Sequence, residues 1–182
     1  AVPLIEPTFM RVALVAGYGL LGATWLVMKT EGELQLWARG KAEGALLLTL
    51  AAVAIVSLWT AFGIPRIADR WFTWPNILLL SPIPLLTLYA ALKCWWGLVE
   101  RRDAQPFLSA IAMFLLGFVG LVISNVPYLV PESITVWQAA AAPSSQLFML
   151  VGTLLLLPMI LGYTAFVYWT FRGKVSEDAG YH

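Results

Sequence analysis

Apolar residues run along this chain in five long blocks, and each block is closed by a short cluster of charges or prolines. The first block sets the plan. Val12–Met28 carries no charge, stops at Lys29, and gives way to the turn Lys29-Thr-Glu-Gly-Glu33. At 17 residues it sits at the short end of a helix that crosses a bilayer. Gly17, Gly19, Gly22 and Ala23 form a small-residue strip along it. Such a strip weakens a helix in water; in lipid it lets a second helix approach closely.

The later blocks repeat the pattern. Spans are predicted over roughly residues 9–28, 45–64, 76–96, 106–130 and 144–171, which gives an all-α, polytopic membrane bundle of about five helices. The chain is expected to form one transmembrane helical domain over residues 1–182. Thr8 is a candidate cap for the first helix, and Arg11 sits where a long side chain can snorkel to the membrane edge. Lys29–Gly44 mixes both signs of charge, as a solvated helix extension and turn would. Pro65–Pro75 reads as a loop whose Trp71, Phe72 and Trp74 form an interfacial belt. Pro82 and Pro84 predict a kink near Ser81, and Pro158 predicts one in the fifth span. The segment Pro131–Pro143 is amphipathic and is expected to lie along the membrane surface.

Composition agrees with lipid as the solvent. The chain has 182 residues, 60% hydrophobic and 12% charged, with a mean hydropathy of +0.82. A soluble domain carries about 25% charged residues. A net charge of +1 with no run of Lys or Arg gives no basic footprint, so no nucleic-acid partner is expected. The single Cys94 allows no internal disulfide or multi-cysteine metal site, and it is read as a small buried hydrophobe.

Charge orients the spans. The loops after spans one and three and the C-terminal tail carry Lys29, Arg39, Lys41, Lys93, Arg101, Arg102, Arg172 and Lys174. The opposite side carries Arg11, Arg66 and Arg70. Eight of the eleven cations against three puts the C-terminus in the cytoplasm. The start Ala-Val-Pro has no basic segment before the first apolar run, so that run is not read as a signal peptide. An outside N-terminus without Met is expected of a chain that continues a longer one upstream.

Candidate chemistry is sparse. No Asp, Glu, Lys or Arg lies in the middle of a span, so an intramembrane relay of charged side chains is not expected. Lys93 lies deepest and is expected to snorkel. His182, the one histidine, is the last residue, so a histidine-built haem or metal site within the membrane is not available. Met10, Met28, Met113, Met149 and Met159 are read as packing rather than as haem ligands. No phosphate loop, catalytic triad or carboxylate pair is present. The chain is therefore expected to hold no catalytic, cofactor-binding or metal site of its own.

Three stretches go further. Gly17-Tyr-Gly-Leu-Leu-Gly-Ala-Thr-Trp-Leu-Val-Met-Lys-Thr-Glu-Gly-Glu-Leu34 resembles the middle of subunit II of the cytochrome bd ubiquinol oxidases, including their cyanide-insensitive branch. Val136-Trp-Gln-Ala-Ala with Pro143-Ser-Ser-Gln-Leu147 is similar to that subunit's last outer loop. Pro158-Met-Ile-Leu-Gly-Tyr-Thr-Ala-Phe-Val-Tyr-Trp-Thr-Phe-Arg-Gly-Lys-Val175 is similar to its closing helix. Order and spacing match over essentially the whole chain, which resembles spans four to eight of an eight-span subunit. The resemblance implies a bacterial inner-membrane complex that oxidises quinol, reduces dioxygen to water and builds a proton gradient. It also implies the partners: a haem-bearing subunit I with b-type and d-type haem, the missing N-terminal half of the same subunit, and the lipid bilayer. A small-solute transporter half and a non-catalytic membrane anchor are the competing readings. Vesicle uptake would mark the first, and copurification without a haem protein the second.

Overall fold

The computed structural model describes residues 7–130 and 133–174, with side chains from Phe9 onward. The chain divides into two compact units, residues 7–124 with Lys174, and residues 125–173.

The first unit begins with α1 (Pro7–Lys29). Thr8 therefore lies inside the first turn rather than capping it. The chain reverses at once through Gly32, whose φ of 67° is open to glycine without a Cβ penalty. It enters α2 (Gly32–Gly63), a single helix of 32 residues. Of the stretch expected as an extension and turn, Thr30 and Glu31 make the turn, while residues 32–44 are helical and continuous with the second span. The reason is visible in spacing: Ala38, Ala42, Leu46, Thr49 and Ala52 are buried in steps of three and four residues. The packing stripe starts well before the charge-free span does.

Pro65 fixes the first turn of α3 (Pro65–Phe72), a short helix where a loop is predicted from sequence. α4 (Asn76–Leu80) and α5 (Pro82–Val99) together form the third span. They part at Ser81, where the prolines place the break. α6 (Gln105–Asn125) ends at Asn125, five residues short of the expected limit at Val130, because Pro127 follows.

A core of small and medium residues joins these helices. Leu20, Leu46, Ala90, Cys94, Ala110 and Met113 are among its buried members. Alanines at the crossing points let backbones come close, which is how helices gain packing energy in lipid. Cys94 is wholly enclosed, as expected of a small hydrophobe, with its Sγ 3.5 Å from the Pro106 carbonyl oxygen. Trp25 of α1 meets Phe107 of α6 edge-on at 5.0 Å. Thr24 spends its buried hydroxyl on the Leu20 carbonyl one turn back, at 2.7 Å.

The second unit opens on a two-stranded antiparallel hairpin, β1 (Tyr128–Val130) and β2 (Ile134–Thr135). A one-turn helix, α7 (Val136–Ala139), follows. Thr135 and Gln138 close its start with a reciprocal capping box. α8 (Pro143–Thr170) is a 28-residue apolar helix that contains Pro158. By length and composition, five helices among the described residues suit a bilayer crossing.

Candidate functional site

The densest polar construction lies where the α1–α2 turn meets the α5–α6 turn, and it is built around Arg39. Arg39 is only 6% exposed. Its guanidinium donates to the carbonyl oxygens of Arg102 at 3.2 Å and Arg101 at 3.0 Å, and to Asp103 Oδ1 at 2.7 Å. A planar fork suits this divergent set of acceptors better than an ammonium would. Gln35, one turn earlier, aims Nε2 at the Val27 and Thr30 carbonyls and at Asp103 Oδ1, at 2.9, 3.0 and 3.1 Å. One amide thereby ties the end of α1 to the α5–α6 turn.

The acceptors are presented by a Schellman ending of α5. Arg102 N–H donates to the Gly97 carbonyl at 2.9 Å, and Arg101 N–H to the Leu98 carbonyl at 3.3 Å. This motif needs a left-handed residue, and Arg101 supplies it with φ 56°. A side chain there is strained by roughly 1 kcal/mol or more. The geometry turns two carbonyls toward Arg39, whose hydrogen bonds offset that cost.

Lys174 completes the cluster. Its Nζ lies 2.6 Å from Asp103 Oδ2 and 3.7 Å from Glu31 Oε1. The Lys174 hydrogen bond, with the charges of Lys174 and Arg39 behind it, holds the Asp103 carboxyl below its usual value despite partial desolvation. The same hydrogen bond raises the Lys174 ammonium. The sequence marks these residues as members of charged loops. Only the buried register of Ala38 and Ala42 signals that Arg39 faces inward.

A second polar contact closes the far end of the first unit. Arg70 donates to the Ile123 carbonyl at 2.6 Å, and Trp71 Nε1 to Ser124 Oγ at 2.9 Å. Ser124 in turn donates to Gly120 O at 2.7 Å. The basic α3 thus covers the C-terminal carbonyls of α6, where the helix dipole favours cations. Of the predicted aromatic belt, Trp71 takes part in this cap, while Phe72 and Trp74 stay exposed.

The small-residue strip of α1 divides. A Cβ on Gly17 would lie 2.8 Å from the Phe114 ring tip, so that glycine permits a close approach of α6. Gly19 and Gly22 meet nothing within 4 Å and share an exposed face with Val15 and Tyr18. Gly120 faces Ile83 and Trp71, whereas Gly117 is open. Met113 packs in the core; Met149 and Met159 are exposed on α8. His182 lies outside the described residues. Among the described residues no group of three His, Cys, Asp or Glu side chains gathers. They include no histidine, and Cys94 is enclosed.

What this arrangement can do is hold membrane helices in register while leaving long apolar faces uncovered. Residues 5–171 match the family described as cytochrome bd terminal oxidase subunit II. The chain belongs to that family. It is also 30% identical over 212 aligned residues to cytochrome bd-I ubiquinol oxidase subunit 2 of Escherichia coli strain K12, and equally to those of strains O6:H1 and O157:H7. The alignment covers 96% of this chain and 54% of each relative. The chain therefore spans about half the length of the curated relatives it matches. As a subunit II chain, it is a multi-pass membrane protein whose five candidate spans fall within the matched residues.

Proposed function

We propose that this chain is part of the non-haem subunit of a bd-type terminal oxidase. In this reading the complex couples quinol oxidation to the reduction of dioxygen to water and contributes to the proton gradient. The chain packs against a haem-bearing subunit and against the N-terminal half of its own subunit, and its C-terminus is cytoplasmic. The observation that carries the reading is the family match over residues 5–171. Two features of the chain support a packing role. Gly19 and Gly22 keep an open small-residue face on α1, and no residue of α8 is buried within the chain. Helices in lipid gain little from simple apolar burial, so close-packing faces of this kind are where association energy is found. In this reading the haem sits on the partner subunit.

The test is a reduced-minus-oxidised visible spectrum of whatever the tagged chain draws from native membranes in mild detergent. Bands of b-type and d-type haem are expected. A haem-free preparation, with membrane insertion verified, overturns the oxidase reading.

A further inference from the structure

We propose that the groove between α5 and α6 seats one phospholipid with an anionic headgroup, its phosphate on Lys93 and an acyl chain along the helices. This inference rests only on the chain's lying in a membrane, not on the oxidase reading.

The groove is open along one side and offers roughly 640 Å³. Its chemistry is graded. At one end stand Lys93 and Gln105; away from them it is lined by Leu86, Leu108, Leu115 and Leu116. Seven residues of α5 separate Lys93 from Leu86, and eleven of α6 separate Gln105 from Leu116. At 1.5 Å per residue these are about 10 and 16 Å, comparable with one leaflet's half of a roughly 30 Å core. A site that is polar at the edge and apolar for one leaflet's depth fits a lipid.

The charge sets the class. Lys93 turns its ammonium back along α5. Its Nζ lies 5.7 Å from the centroid of the Tyr89 ring, one turn back along α5, and both residues line the groove. The side chain points toward the helix N-terminus, as long helical side chains do, and so keeps its charge at the groove. Among the described residues its ammonium makes no ion pair. The nearby acids are already engaged: Glu100 with Arg102, and Asp103 with Arg39 and Lys174. Gln105 spends Nε2 on the Lys93 carbonyl at 2.8 Å, which ties α5 to α6 at the polar end of the groove. An ammonium without an acidic partner beside the bilayer attracts an anion. A lipid phosphate at the headgroup boundary is the anion that the surroundings supply.

The test uses the full chain, with whatever it carries from native membranes, in a neutral detergent. It is exposed to an equimolar mixture of phosphatidylglycerol and phosphatidylethanolamine, and retained lipid is counted by native mass spectrometry. Retention of one phosphatidylglycerol per chain is expected, at least tenfold over phosphatidylethanolamine. Lys93→Gln should lower it at least fivefold, Lys93→Arg should keep it, and Ala112→Phe should lower it by filling the groove. A photoreactive residue at Leu108 should crosslink to lipid in native membranes. Equal retention of the two lipids, or retention unchanged in both Lys93→Gln and Ala112→Phe, overturns the proposal. So does a crosslink at Leu108 to a polypeptide or a quinone. Haem enters none of these readouts, so they stand or fall apart from the oxidase test.

Discussion

At the scale of single residues, Arg39 is the side chain on which most else depends. It fills three acceptors at once, two of them backbone carbonyls that would otherwise be left near the membrane edge. Arg39→Ala should lower stability by about 2–3 kcal/mol, the usual range for a lost charged hydrogen-bonding group. Arg39→Lys should recover little, because one ammonium cannot reproduce the fork. Unfolding in detergent titrations, followed by tryptophan emission, would show this; an unshifted midpoint for Arg39→Ala would count against it. Arg101 gives the opposite sign. Its φ of 56° suits glycine, so Arg101→Gly should stabilise by roughly 0.5–1 kcal/mol in the same titration. A loss of stability there would show that the Arg101 side chain matters more than its backbone. Asp103 gives a pH dependence. Its folded pKa is depressed, chiefly by the Lys174 hydrogen bond. The stability it contributes is therefore complete above the unfolded carboxyl value near 3.9, and is lost as pH falls through the depressed folded value. Acid destabilisation should set in below about pH 4, and Asp103→Asn should flatten that limb of the curve. An acid limb identical in the variant would assign the effect to other carboxyls.

At the scale of elements, the glycines of α1 separate what holds the chain together from what lies open on it. Gly17 is pressed by Phe114, so Gly17→Leu must push the ring aside and should cost about 1–3 kcal/mol as an overpacked contact. Gly22 has free space beside it, so Gly22→Leu should leave the chain's own stability unchanged while reducing its yield in the haem-bearing complex. Unchanged complex yield and haem content would remove α1's open face from the assembly surface. The sequence displays this strip but not its division, because which glycine meets a neighbour depends on where α6 crosses. Element type was legible for the same reason that the spans were: lipid forces long apolar helices, and the sequence shows them directly. The prolines located the Ser81 break for a local reason, the missing N–H. The start of α2 was hidden, since the charges of residues 29–44 mask a buried alanine register. α3 was hidden because eight residues with three charges look like a loop until Ser124 and Ile123 are placed beneath them.

At the scale of the whole molecule, the question is which end of the first unit faces the cytoplasm. Hydrogen bonds fix the two ends independently of any charge rule. Gln35 and Arg39 join the α1–α2 turn to the α5–α6 turn, whereas Arg70 and Trp71 join α3 to the end of α6. The Arg39 end also carries the pairs Lys29–Trp25 and Lys41–Trp37, ammonium over indole at 5.4 and 5.7 Å. Such pairs hold a cation beside an interfacial ring, where anionic headgroups attract it. Both the cation count and this anchoring favour the Arg39 end as cytoplasmic. Cys94 is enclosed and should not react, so single cysteines can report position directly. Thr73→Cys, in the exposed turn after α3, should be modified on intact spheroplasts by a membrane-impermeant maleimide. Ala104→Cys, in the α5–α6 turn, should react only after the membrane is opened. The reverse pattern would invert the molecule and move the Lys93 groove to the outer leaflet. Labelling of both sites from one side would mean that α4–α5 does not cross the bilayer as one span, despite its 24 apolar-rich residues.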